Sequence, residues 1–208
     1  LRRSHGGAVS ILDPSPEIPH AIREATRAAE KRGIAAEAAK LVRPRDRILL
    51  DASTTAWYLA KTLPDIPLTV LTNSLQVSLE LAGKGQIEVV CTGGLLSSRS
   101  LSYVGPLAEQ ALEQYHVNRA FISCKGVHLE RGLSESNLLQ ARIKQQMIER
   151  ADEVVLMADS SKLDVQDFAH VPGLRRVNIL ITDTDADRAY LQELEARYGF
   201  QVKLVARQ

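Results

Sequence analysis

A chain of 208 residues, 45% apolar and 25% charged, holds enough material for one α/β domain with a substantial core and little room for a second. Lysine plus arginine number 26 against 25 aspartate plus glutamate, which excludes a general electrostatic attraction to nucleic acid. Cys91 and Cys124 show no CxxC or Cys/His spacing, and no apolar run approaches the ~20 residues that span a bilayer. The expectation is a cytoplasmic protein with reduced thiols and no membrane partner.

Residues 1–19 carry two glycines and three prolines with little periodicity and read as an extended lead-in or linker. From His20 to Val42, apolar residues recur at helical spacing (Ile22, Ala25, Ala29, Ile34, Ala38, Leu41), which predicts one long helix, bent if anywhere at Gly33. Beyond Pro44, short Val/Ile/Leu-rich runs are predicted as strands at Arg47–Asp51, Leu68–Thr72, Ile87–Thr92, Arg119–Cys124, Val154–Ala158, Val177–Thr182 and Val202–Val205. Helical stretches fall between them at Thr54–Leu63, Leu75–Ala82, Gly105–Tyr115, Leu138–Arg150 and Asp187–Tyr198. This alternation predicts an α/β fold of three layers, α/β/α, with a mostly parallel sheet, occupying residues 20–208. Open sheets of that kind bind ligands beyond the carboxyl ends of their strands, so the residues there carry the functional reading.

The first strand runs into Asp51-Ala52-Ser53-Thr54-Thr55 and then directly into a helix. Free N–H groups of a first helical turn, the helix dipole and adjacent hydroxyls make an anion receptor, although Ser53 or Thr54 alone reads equally as a helix cap. The second strand ends in Thr72-Asn73-Ser74 and the third in Thr92-Gly93-Gly94, where paired glycines suit either close ligand approach or a simple turn. The fourth ends in Ser123-Cys124-Lys125-Gly126, with Glu135 and Asn137 beyond it, and the fifth in Asp159-Ser160-Ser161-Lys162. Lys125, Lys162 and Arg99 are each either phosphate partners or solvated surface cations.

The five histidines form no HxH, HExxH or His/Asp grouping, Ser53 and Ser160 lack G-x-S-x-G surroundings, and no strand leads into GxGxxG. No metal, cofactor or catalytic residue is therefore assigned.

Several short stretches, in this order, resemble the DeoR family of bacterial sugar-operon regulators. They begin with Arg3-Ser4-His5-Gly6-Gly7-Ala8 and continue through Glu30-Lys31-Arg32, Leu50-Asp51-Ala52-Ser53-Thr54-Thr55 and Leu71-Thr72-Asn73-Ser74. Thr92-Gly93-Gly94, Val104-Gly105-Pro106, Ala158-Asp159-Ser160-Ser161-Lys162 and Ile181-Thr182-Asp183 complete the set. The opening stretch is similar to one that leads, in the family, from a winged helix-turn-helix into the sensor, so the resemblance implies a DNA-binding domain N-terminal to this chain. It further implies a fold like ribose-5-phosphate isomerase and glucosamine-phosphate deaminase, a phosphorylated sugar as effector, operator DNA as partner and a homodimer or homotetramer. Carried onto this sequence, the effector site comprises Asp51, Ser53, Thr54, Thr55, Thr72, Asn73, Gly93, Gly94 and Lys162, with Lys125, Gly126 and Glu135 as weaker members. The stretch from Asp51 to Ala60 looks most like the branch that regulates fucose and related deoxy-sugars. The alternative is a sugar-phosphate isomerase or tautomerase on the same fold, for which Glu135 is the candidate base.

Overall fold

The computed structural model describes residues 2–4, 7–9 and 17–206, so most of the predicted lead-in, including His5 and Gly6 of the opening motif, lies outside the described residues. Strands β1 (Arg2–Ser4) and β2 (Gly7–Val9) pair antiparallel. Two helices follow, α1 (His20–Ala25) and α2 (Ala28–Ala39). The single helix expected over 20–42 is thus broken, and at Thr26–Arg27 rather than at Gly33. Arg27 adopts the left-handed region (φ 51°), which ends one helix before the next begins. Gly33 lies within α2, and close packing accounts for the glycine there, since a Cβ would stand 2.6 Å from the carbonyl oxygen of Ala206.

The chain then alternates. Strand β3 (Arg47–Leu50), α3 (Thr54–Thr62), β4 (Leu68–Thr72), α4 (Leu75–Leu81) and β5 (Ile87–Cys91) build outward in one direction. A small hairpin, β6 (Leu95–Ser97) with β7 (Ser102–Val104), precedes α5 (Pro106–Glu113) and β8 (Val117–Ile122). Next come β9 (Gly126–His128), β10 (Gly132–Glu135), α6 (Leu138–Glu149), β11 (Ala151–Met157), β12 (Ala169–Val171), β13 (Val177–Asp183), α7 (Arg188–Tyr198) and β14 (Gln201–Val205). All seven predicted strands join one parallel sheet in the order β14-β13-β11-β8-β3-β4-β5. The antiparallel β9-β10-β12 sheet and the β6-β7 hairpin were not predicted, because strands of three or four residues carry no readable period.

Both faces of the parallel sheet are covered, and alternate residues of each strand enter separate cores. Ile48, Leu50, Phe121, Val155, Met157, Ile179 and Ile181 pack with Ile34, Leu59 and Leu81 from α2, α3 and α4. Leu49, Ala120, Ile122, Val154, Leu156 and Leu180 pack with Leu112, Met147 and Leu194 from α5, α6 and α7. This is the expected three-layer α/β/α arrangement. Among the described residues no helix is long and apolar enough to cross a membrane.

Candidate anion-binding site

Strand order reverses at β3. From there β4 and β5 lie to one side, while β8, β11, β13 and β14 lie to the other. The chain passes from β3 directly into α3 but from β8 into β9 and β10, and a crevice opens above the carboxyl ends of β3 and β8. A cavity of about 130 Å³ occupies that crevice.

One wall is the start of α3. Ser53 caps the helix, its Oγ accepting from Ala56 N at 3.0 Å, so the N–H groups of Thr54 and Thr55 are left with no acceptor inside the helix. Both threonines are buried and line the cavity. A hydroxyl-bearing first turn facing a cavity is suited to an anion.

The floor is a buried charge triad. Asp51 is 1% exposed; its Oδ1 accepts from Ser53 N (3.0 Å) and its Oδ2 from Ser123 N (2.8 Å) and Lys144 Nζ (2.5 Å). The two loops after β3 and β8 are thereby tied together. Lys144 also meets Glu135 at 3.3 Å. Burial acts to lower the Lys144 pKa, but the carboxylates of Asp51 and Glu135 outweigh it and hold the ammonium above the ordinary lysine range. Burial, reinforced by Glu135, pushes the Cys124 thiol up to about 12, so it carries no nucleophilic thiolate at neutral pH.

The roof comes from the chain before α2 and from the first turn of α2. Glu17, Ile18, Ile22, Arg23, Thr26, Arg27 and Lys31 all line the cavity. Lys31 Nζ donates to the carbonyls of Arg23 and of Thr26 (2.7 Å), closing the end of α1. Burial lowers the Lys31 ammonium to about 8, against the opposing pull of Asp159. Lys125 is lowered too, by burial first and then by the nearby Arg23. Arg27 reaches the ends of β11 and β13, where its guanidinium lies 3.1 Å from Asp159 and 3.9 Å from Asp183 and donates to Ser160 Oγ at 2.7 Å. At the far end Gln140 Nε2 donates to the hydroxyls of Ser100 (3.0 Å) and Ser102 (2.9 Å). The lining therefore holds six cationic side chains (Arg23, Arg27, Lys31, Lys125, Lys144, Lys162) against three carboxylates (Glu17, Glu135, Asp159).

Of the residues singled out in the sequence, Ser53, Thr54, Thr55, Lys125, Glu135 and Lys162 meet in this cavity. The other six do not line it. Asp51 lies beneath, engaged with Lys144. Thr72 donates to Leu50 O (2.7 Å) and accepts from Ser74 N, Asn73 donates to Tyr103 O (2.9 Å), and both serve the turn after β4. Gly93 and Gly94 form a left-handed turn (φ 63° and 111°), with Gly94 close against Ala108 of α5. Gly126 admits the carbonyl of Val165, which would stand 2.2 Å from a Cβ. Sequence reasoning missed Arg23, Arg27, Lys31, Gln140 and Lys144. The roof cations sit in a segment read only as a connecting helix, and a helix period says nothing about which sheet edge it crosses. No grouping of three or more His, Cys, Asp or Glu suited to a metal ion occurs among the described residues.

Residues 26–184 match the family model described as the DeoR C terminal sensor domain. The chain belongs to the DeoR family. It is 53% identical, over 99% of its length, to the uncharacterized HTH-type transcriptional regulator YulB of Bacillus subtilis, of which it spans 79%. It is 36% identical over 88% of its length to the L-fucose operon activator of Haemophilus influenzae, of which it spans 74%. Among solved structures, a probable sor operon regulator from Shigella flexneri shares the fold, with a TM-score of 0.51 at 12% identity over 80% of this chain and 88% of that one. These DeoR-type relatives are named as transcriptional regulators, and the isomerase alternative is not favoured.

Proposed function

We propose that this DeoR sensor domain binds a phosphorylated sugar in the cavity without transforming it, and that binding changes the regulator's hold on its operator. The observation that carries this reading is the cationic lining set against the open first turn of α3. The phosphate is assigned to Thr54, Thr55, Lys125 and Lys162, with Lys31 beside them. The sugar hydroxyls face Glu135 and Gln140. The similarity to the L-fucose operon activator supports a deoxy-sugar phosphate. Glu135 is a poor base for isomerisation because it is already paired with Lys144 at 3.3 Å. Ligand moves DNA affinity only through unequal affinity for two arrangements of the regulator, and a homodimer or homotetramer supplies such arrangements.

Calorimetric titration with pentose and hexose phosphates, deoxy-ketose 1-phosphates among them, against the unphosphorylated sugars tests this. Phosphate-dependent binding that is lost in a Thr54→Ala/Thr55→Ala variant is expected. Equal binding of phosphorylated and free sugars, or Glu135-dependent turnover, defeats the reading.

A further inference from the structure

The carboxylate of Glu17 is an acid in a place built for an anion. Glu17 is 8% exposed and lines the cavity, and it lies within electrostatic reach of Lys125. Its carboxylate accepts from Ser97 Oγ at 3.4 Å, and its backbone carbonyl accepts from Arg99 Nη1 at 3.2 Å. Three residues on, the chain turns into α1, held to the same β6-β7 loop by His20 N donating to Arg99 O (2.8 Å) and by Arg23 donating to Ser100 O (3.5 Å).

The rest of this cap is lightly held. Ile18 and Ile22 are exposed, and α1 has only six residues. Its seat on the domain is His20, edge-on to Trp57 at 5.9 Å, a hydrogen bond from Tyr58 Oη to Glu24 O at 3.3 Å, and Lys31 Nζ donating to the carbonyls of Arg23 and Thr26. A segment with few buried apolar contacts and a handful of polar ties opens at low free-energy cost.

We infer that Glu17 is a built-in competitor of the effector: its carboxylate occupies the cationic cavity when no ligand is present, and an incoming phosphate expels it together with the cap from Glu17 to Ala25. This rests on the effector-site reading above. It gives the site a means of reporting occupancy, because the expelled segment is the chain that leads from β2 into the domain. Two anions cannot share the same cations without repulsion, so ligand and docked cap exclude one another. A cap docked in nine of ten molecules weakens apparent ligand affinity about tenfold.

Trp57 is the sole tryptophan, so its emission reports the seat of α1. The test is calorimetry and Trp57 fluorescence with inorganic phosphate and fructose 1-phosphate on the unaltered chain, on Glu17→Gln and on Ser97→Ala. Glu17→Gln is expected to bind both probes about tenfold more tightly, and Ser97→Ala to move in the same direction by less. The emission of ligand-free Glu17→Gln should match that of the saturated unaltered chain. Equal or weaker binding by Glu17→Gln, with Trp57 emission unmoved by ligand, overturns the competitor and leaves the effector site standing. Absence of binding by all three forms overturns both. Should Glu17→Gln fail to fold, unchanged binding by Ser97→Ala overturns the competitor on its own.

Discussion

Lys144 and Asp51, 93 positions apart in the chain, meet at 2.5 Å beneath the cavity with both side chains out of solvent. Asp51 also holds the N–H groups of Ser53 and Ser123, so the pair fixes the two loops that shape the site. Removing one partner strands a buried charge. Lys144→Met is expected to lower unfolding stability by about 3–5 kcal/mol, and Asp51→Asn/Lys144→Met by less than the sum of the two single changes. Urea unfolding of the four forms measures the coupling, and strict additivity would refute it.

Lys31 makes stability and ligand affinity respond to pH in opposite senses. Its folded pKa of about 8 lies below the ordinary 10.5, so between those values the unfolded chain carries more protons. The burial penalty is present in full below pH 8 and is relieved as pH rises towards 10.5, so Lys31 makes stability increase over that window. Phosphate affinity falls over the same rise, because the ammonium that attracts the anion is lost, while the phosphate itself is already doubly charged above pH 7. Titrations at pH 7 and 9 should show this loss, and Lys31→Met should flatten most of it.

Arg27 combines a left-handed backbone with two nearly buried carboxylate partners, Asp159 and Asp183. Arg27→Ala is expected to cost about 2–3 kcal/mol, less than a fully buried pair because the guanidinium is partly solvated. Arg27→Gly should be more stable than Arg27→Ala by about 1 kcal/mol, the reverse of helix propensity, since glycine adopts the positive φ freely. Thermal melts of the two variants decide the order.

Gly33 and Gly83 should respond to alanine in opposite directions. Gly33 lies inside α2, where propensity alone favours alanine by about 1 kcal/mol, yet a Cβ would meet the Ala206 carbonyl oxygen at 2.6 Å. Gly33→Ala is therefore expected to destabilise. Gly83, with nothing within 4 Å of a Cβ, should gain about 0.4–1 kcal/mol as alanine. Denaturation midpoints of both variants test the contrast.

The parallel sheet was legible because its strands are apolar on both faces, and strands such as Val154 to Met157 leave no polar phase to misread. The α3 wall was legible for a related reason: strand, hydroxyls and helix are contiguous in sequence, so Ser53, Thr54 and Thr55 declare their geometry locally. The roof was hidden. Arg23, Arg27 and Lys31 acquire their position from the break at Thr26–Arg27, and no glycine or proline marks it. Thr72 and Asn73 misled for the opposite reason. Small polar residues at a strand end are also what a tight turn requires, and here the hydroxyl and amide are spent on Leu50 O and Tyr103 O.

Because β3 and β8 are neighbours in the sheet while β4 through α5 lie between them in the chain, the cavity walls are made at different moments of synthesis. A ribosome that has released α3 still has β8, α6 and β11 to make, a delay on the order of 10 s at ordinary elongation rates. During that interval the nascent chain has an open helix end and Asp51, but no Glu135 or Lys144 to complete the floor and no Lys162 beside it. Under the effector-site proposal an unfinished copy lacks the pocket, and only a chain translated past Lys162 carries all of its walls.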